Sequence, residues 1–469
     1  MNDKPTNEIQ VTVEETSLGY MLKLAAPAVV TTISFTIMQF VDRFMVSRLG
    51  TEALAAILPA GFVSFVPGAF AIGVMASLNT LVSQSLGRGD KRDSSNYYWQ
   101  VMYMGLAYSV VVIAIMWPAA PWIFKIMGQP PAVCAMEVIY LRIMLYTQIV
   151  AVINWASSQF FMGIHRPIIT MYSSLCGQVV NVVCNYLLIF GNFGFPRLEI
   201  AGAGWGTFIG MAVGAVINMV VFLGSNINAT FKSRRSLNID FGKMYTLLKV
   251  GLPAGFELVV NIAFWGVILF SLVGRFGKEA LAATSAVLSY TNVSVMPIVG
   301  IGTALTAAVG KTIGEGKKNL ATKQTSVCLR IALVYMGAVG ICFLIFREPL
   351  MRFWTSDARV IEVGVKILIC AAIYQVFHAA RTIYSGSLRG AGDTVWLATV
   401  STLGAVIILG VGGALIVKFF PSLGSVGPWI AAAISIIAVG LANRWRFKSN
   451  RWMRIDLFKR RPAGVPVEV

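Results

Sequence analysis

The chain has 469 residues, 57% of them hydrophobic and only 12% charged, and its mean hydropathy is +0.74. These values exclude an ordinary soluble domain and point to an all-α polytopic membrane protein. The net charge of +18 does not imply a nucleic-acid partner, because the basic residues lie between and after apolar runs, where membrane orientation and anionic headgroups account for them.

Residues 1–17 are polar and contain four acids, so they read as a cytoplasmic N-terminal segment and not as a cleaved signal. Twelve apolar runs of bilayer-crossing length, ~20 residues or more, follow. They lie near 18–49, 51–86, 94–118, 131–163, 166–190, 200–224, 243–276, 278–313, 320–346, 358–388, 393–418 and 424–443. The expected domains are a first lobe over 18–224, a polar cytoplasmic linker over 225–242, a second lobe over 243–443 and a basic cytoplasmic tail over 444–469. Basic clusters such as Arg88/Lys91/Arg92, Arg234/Arg235 and Lys317/Lys318 fall on one side, which places both termini in the cytoplasm. Six scattered cysteines with no CxxC suit packing and give no metal or disulfide framework.

The first span carries an acid. Asp42 lies within it, three residues after Gln39 on the same helical face. A charge at membrane depth costs roughly 2.5–3.5 kcal/mol on insertion scales, so such acids mark ion or substrate paths or pair with a neighbour, here Arg43. The fifth span presents Gln178, Asn181 and Asn185 at spacings of three and four, one polar stripe on an apolar helix. Asp42 lies eight residues before Gly50 and Asn185 six before Gly191, on spans that run the same way. At ~1.5 Å per residue the two come to similar depth. Asn154 and Thr207, on the fourth and sixth spans, are candidates to complete a ring of oxygens, whereas interhelical hydrogen bonding is the bland use of such carboxamides.

In the second half, Glu257 and Asn261 stand one turn apart, and Tyr374 and His378 share a face of the tenth span. Counting from the cytoplasmic ends brings Glu257 and His378 to mid-depth, where they could meet. A histidine in such a place serves either the core or proton traffic. Pro27 and Pro253 interrupt spans one and seven at matching places, as hinge candidates or ordinary kinks.

An internal repeat organises the chain. RLGTEALAA at Arg48–Ala56 recurs as RFGKEALAA at Arg275–Ala283, a displacement of 227 residues that also carries Gly73 onto Gly300, Gly87 onto Gly314 and Gln148 onto Gln375. The same step sets FMGIHRP at Phe161–Pro167 against LRGAGDT at Leu388–Thr394. Each copy holds six spans, an even number, so both insert alike and pair about a pseudo-two-fold axis along the membrane normal.

The doubled LGxEALAA segments, the GRGDK loop at Gly87–Lys91, LRGAGDT and the acid in VDRFMVSRLG resemble the multidrug and toxic compound extrusion (MATE) transporters over nearly the whole chain. The resemblance implies a bacterial inner-membrane antiporter, not an enzyme, that exports organic, often cationic, compounds against entry of protons or sodium ions through a cavity between the lobes. It points to Asp42, Asn181 and Asn185 as cation-site positions. Many members carry Asp at the place of Asn185, an acid at that of Asn261 and Asp at that of His378. The expected cycle is alternating access, with Asp42 taking up a proton or transiently a sodium ion and the lobe bending at Pro27. No cofactor beyond the coupling ion, no resident metal and no partner beyond lipid and a small organic substrate are expected of what reads as a monomer. A flippase for a lipid-linked saccharide precursor, to which Arg142 and Arg381 would be suited, and an exporter of one specific metabolite are the alternatives.

Overall fold

The computed structural model describes residues 17–128 and 130–458. The expected N-terminal segment, apart from Ser17, and the tail beyond Phe458 lie outside the described residues. Twelve helices are long and apolar enough to cross a membrane, and among the described residues there is no strand. In chain order they are α1 Leu18–Ser47, α2 Thr51–Gly87, α3 Lys91–Ile126, α4 Pro131–Gly163, α5 Ile168–Phe190 and α6 Ile200–Leu223. A short helix, Ser225–Phe231, opens the linker. Then come α7 Phe241–Gly274, α8 Lys278–Gly314, α9 Lys318–Ile345, α10 Ala358–Gly390, α11 Thr394–Phe419 and α12 Val426–Lys448.

Local chemistry sets several ends. Ser17, Asp90, Asp240 and Asp357 each accept from a backbone N–H in the first turn of α1, α3, α7 and α10, which satisfies donors that a helix start leaves open. Gly191 closes α5 at φ 73°, a conformation that favours glycine. Two ends differ from expectation. Helix α3 continues eight residues past Pro118 because neighbouring helices in a bundle re-satisfy the carbonyls that a proline frees, and α12 continues past Arg444. There Arg446 finds Asp393 at 2.7 Å, a buried pair that makes a basic turn compatible with helix.

Helices 1–6 and 7–12 form two lobes, each with two tiers of core. On the linker side the tiers join across the lobes: Met21, Leu24, Ala25 and Ala28 of α1 pack into one cluster with Ile298, Ile301 and Leu305 of α8, and Leu247 of α7 packs with the aromatic core of α3 and α4. On the other side the cores are separate. One is built around Val46, Ala56, Phe124 and Leu141, and the other around Val273, Val287, Leu368 and Trp429. Hydrogen bonds follow the same division. Thr80 donates to Arg389 O at 2.8 Å, Gln84 to Gly390 O at 2.8 Å and Asn79 to Thr303 O at 3.2 Å, while Lys243 pairs with Asp93 at 2.6 Å. Glycines let the seam close: a Cβ on Gly87 would sit 2.0 Å from Lys311 O, and one on Gly73 would sit 2.5 Å from the Gly255 Cα.

The segment after α12 straps this seam. Trp452, 1% exposed, stacks on Phe447 in the second lobe, Leu457 lies against Gly392, and the next residue, Phe458, takes the Arg88 guanidinium at 4.2 Å and the Tyr97 ring at 6.1 Å in the first.

Both Pro27 and Pro253 lie inside continuous α-helix, and α7 leaves α geometry elsewhere, in π-helical turns at Phe264–Ile268. Helix α11 does the same at Gly404–Gly412, and the two wide segments face each other, with Gly410 against the Phe264 ring. The looser turns occur where glycine and branched residues weaken the α register, without any proline.

Candidate functional site

Asp42, half-buried on α1, accepts a 2.6 Å hydrogen bond at Oδ1 from Nδ2 of Asn185 on α5. Asn185 Nδ2 also reaches Asn181 Oδ1 at 3.5 Å, and Asn181 Nδ2 donates to Thr207 Oγ1 of α6 at 3.4 Å. Asn181, Asn185 and Thr207 are buried. Tyr140 of α4, also buried, stands within Coulombic reach of Asp42. No ion pair within contact distance joins Asp42 to Arg43 among the described residues, although Arg43 stands within Coulombic reach, and the direct partner of the acid is the Asn185 carboxamide.

Glycine makes this shell possible. Gly202, Gly206, Gly210 and Gly214 recur every fourth residue along α6, and α5 lies directly against them. A Cβ at Gly206 would stand 2.0 Å from Asn185 Oδ1, and one at Gly210 would stand 2.6 Å from Gly177 O. The backbone of α6 therefore supports the face of α5 that points Asn185 at Asp42. Asn185 Oδ1 is buried with no hydrogen-bond partner among the described residues and lies against the Gly206 backbone, while Nδ2 faces Asp42. Carboxylate, carboxamide and hydroxyl oxygens of this kind suit a proton or a hard monovalent cation, and no cluster of three His, Cys, Asp or Glu side chains occurs among the described residues.

Not every expected residue joins. Gln39 is exposed and lies outside the shell. Asn154 is corrected to a separate network: it donates to Met211 O at 2.7 Å and accepts from Asn218 at 3.1 Å, while Asn218 in turn accepts from Ser173 at 2.8 Å. It sits deeper along α4, so its carboxamide meets the last residue of the α6 stripe instead of Thr207. Asn218 was overlooked, although its position four residues after Gly214 was the available signal.

In the second lobe Glu257 does not meet His378. It accepts from Ser401 at 2.9 Å and pairs with Arg389 at 3.3 Å, because α7 lies beside α11 and the long arginine reaches across from α10. His378 stays with Thr382, at 3.3 Å, on its own helix. Tyr374 is 2% exposed and stacked on Trp429, a core aromatic. Asn261 is half-buried, one turn beyond Glu257. Arg142 lies over the Trp117 ring at 4.1 Å. A further acid, Glu137 of α4, is fully buried with neither oxygen partnered among the described residues. Its only sequence signal was an acid inside an apolar span.

Two inward-facing polar shells in a duplicated twelve-helix bundle define a membrane transporter and not an enzyme. The sequence profile of the MatE family matches the chain twice, over residues 27–187 and 253–413. The chain is 28% identical over 438 residues to a probable multidrug resistance protein NorM of Chromobacterium violaceum, covering 89% of this chain and 90% of that one. Among solved structures it superposes with a TM-score of 0.84 on an outward-facing multidrug resistance MATE family transporter, 21% identical, over 93% of this chain and 96% of that one. A MATE in a bent conformation, 20% identical, gives the same TM-score over 93% and 97%. The chain belongs to the MatE family.

Proposed function

We propose that this chain is a cation-coupled antiporter of a bacterial plasma membrane that exports organic, cationic compounds by alternating access, with both ends on the cytoplasmic side. The observation that carries the reading is the 2.6 Å contact between Asp42 and Asn185, a single carboxylate held in a shell of neutral oxygen donors. Uptake of a proton or sodium ion from outside neutralises Asp42 and removes the charge that orients Asn185. The shell of α1, α5 and α6 then repacks, and the first lobe changes its fit to the second. Separate cores on one side and a shared core on the other are what an outward-open state requires. The NorM relative, a probable multidrug resistance protein, supports export as the direction. Glu257 does not supply a second free carboxylate, since Arg389 and Ser401 occupy it.

The test is transport of a fluorescent organic cation by the purified chain in liposomes under separately imposed proton and sodium gradients, with Asp42→Asn alongside. The parent is expected to respond to one of the two gradients and the variant to neither. Equal export by both proteins under the effective gradient would remove Asp42 from the mechanism.

A further inference from the structure

Arg381, Ser385 and Arg389 recur every fourth residue on α10 and so share one face. Opposite them stand Glu257 of α7, Ser401 of α11, and Gly440 and Asn443 of α12. Helices α7 and α10 are not packed against each other here, and side chains span the distance between them. Arg389 pairs with Glu257 at 3.3 Å. Arg381, whose Cβ lies against Gly440, is within Coulombic reach of the same Glu257 but makes no hydrogen bond or ion pair among the described residues. It is half-buried, as His378 one turn before it is, so neither side chain is fully enclosed by protein.

The charges do not cancel. Two guanidiniums converge on one carboxylate, and the nearby Asp393 is already committed to Arg446 at 2.7 Å. Arg389 Nε and Asn443 Oδ1 are buried without partners among the described residues. An uncompensated guanidinium at membrane depth calls for an anionic partner. Its planar fork of donors matches a carboxylate or phosphate. The carbonyl of Arg389 accepts from Thr80 across the seam, so the lower end of this face opens wherever the lobes part on the linker side.

We propose that Arg381, with Ser385 and Arg389, forms a subsite for the carboxylate of an exported organic molecule, so that the chain favours zwitterions that bear both a cationic and an acidic group. This rests on the export reading above and names its substrate class. The cationic part would lie toward the first lobe while the carboxylate completes the charge on α10.

A matched pair of dyes tests it: rhodamine B, a xanthylium cation carrying a carboxylate, and its ethyl ester, which keeps only the cation. Equilibrium binding to the purified full chain in nanodiscs of zwitterionic lipid needs no gradient, so it separates failure of this subsite from failure of the antiport reading. The acid is expected to bind more tightly than the ester, and Arg381→Gln to weaken the acid about tenfold relative to the ester, a difference of about 1.4 kcal/mol, with Arg381→Lys restoring part of the loss. Repeating the titration with anionic phosphatidylglycerol separates a lipid phosphate from a substrate carboxylate. Acid binding unaffected by that lipid supports the proposal. Suppression by it in the parent but not in Arg381→Gln overturns the proposal in favour of a headgroup site. Equal weakening of acid and ester by Arg381→Gln also overturns it and leaves Arg381 as a structural counter-charge to Glu257.

Discussion

Gly206→Ala probes the ion shell without touching any of its polar groups. The added methyl would lie 2.0 Å from Asn185 Oδ1 and 3.0 Å from its Cγ, so something must move by more than ~1 Å to reach ordinary contact. Retreat of helix α6 as a body would give up its close seating on α5 at two further glycines. On one flank a Cβ at Gly202 would already meet Leu188 O at 2.6 Å, and on the other one at Gly210 would meet Gly177 O at 2.6 Å, which is how closely α5 and α6 are seated. The side chain of Asn185 must swing instead, and its 2.6 Å bond to Asp42 is lost. A hydrogen bond to a charged group contributes roughly 1.5–3 kcal/mol. The variant is therefore expected to shift the concentration of coupling ion for half-maximal transport about 10- to 100-fold, downward if the ion is a proton, because the lost bond stabilises the ionised carboxylate. Gly214→Ala is the control, since its methyl would stand 3.2 Å from Asn154 Oδ1 in the other network. Ion titration of dye transport in liposomes measures both, with gel filtration confirming an intact fold. Parental ion dependence in a folded Gly206→Ala protein would refute the assignment of Asn185 to the coupling shell.

Replacing Trp452, which is 1% exposed and stacked on Phe447, with alanine is expected to cost about 3–5 kcal/mol and to lower the thermal denaturation midpoint measured by tryptophan fluorescence. Phe458→Ala removes a cation–π contact with Arg88 and an edge-on contact with Tyr97, together about 1–2 kcal/mol. It is expected to raise thiol labelling of a cysteine introduced at Thr80, where the strapped seam opens, and unchanged labelling would count against the strap. Lys243→Ala breaks the 2.6 Å pair with Asp93 at the same seam and is expected to shift labelling in the same direction, by about 1 kcal/mol, given that both side chains keep some exposure. Glu137→Met replaces a buried, unpartnered carboxyl with an apolar side chain of similar size and is expected to stabilise the chain by about 1–3 kcal/mol in the same denaturation assay. Destabilisation would reveal a bound proton or ion that Glu137 serves.

The features legible in the sequence were those that depend on one helix at a time or on register along the chain. Span number followed from hydropathy, the duplication from the 227-residue repeat, and the common depth of Asp42 and Asn185 from counting rise per residue. What stayed hidden depends on which helices face each other. Asn154 and Thr207 are equally polar, yet only Thr207 lies beside Asn181, because the glycine stripe of α6 sets how α5 and α6 dock. Glu257 and His378 share a depth, but the longer reach of Arg389 decides the pairing. The π-helical turns of α7 and α11 had no proline to announce them.

The wide turns at Gly404–Gly412 stand 227 residues after Gly177–Asn185, so one half of the duplication carries apolar, loosely wound backbone where the other carries its carboxamides. The two halves have diverged in winding and in polarity at this place of the repeat. On the roles proposed above, a tandem of two first halves would hold two coupling acids and neither Arg381 nor Arg389, and a tandem of two second halves would hold both arginines twice and no coupling acid.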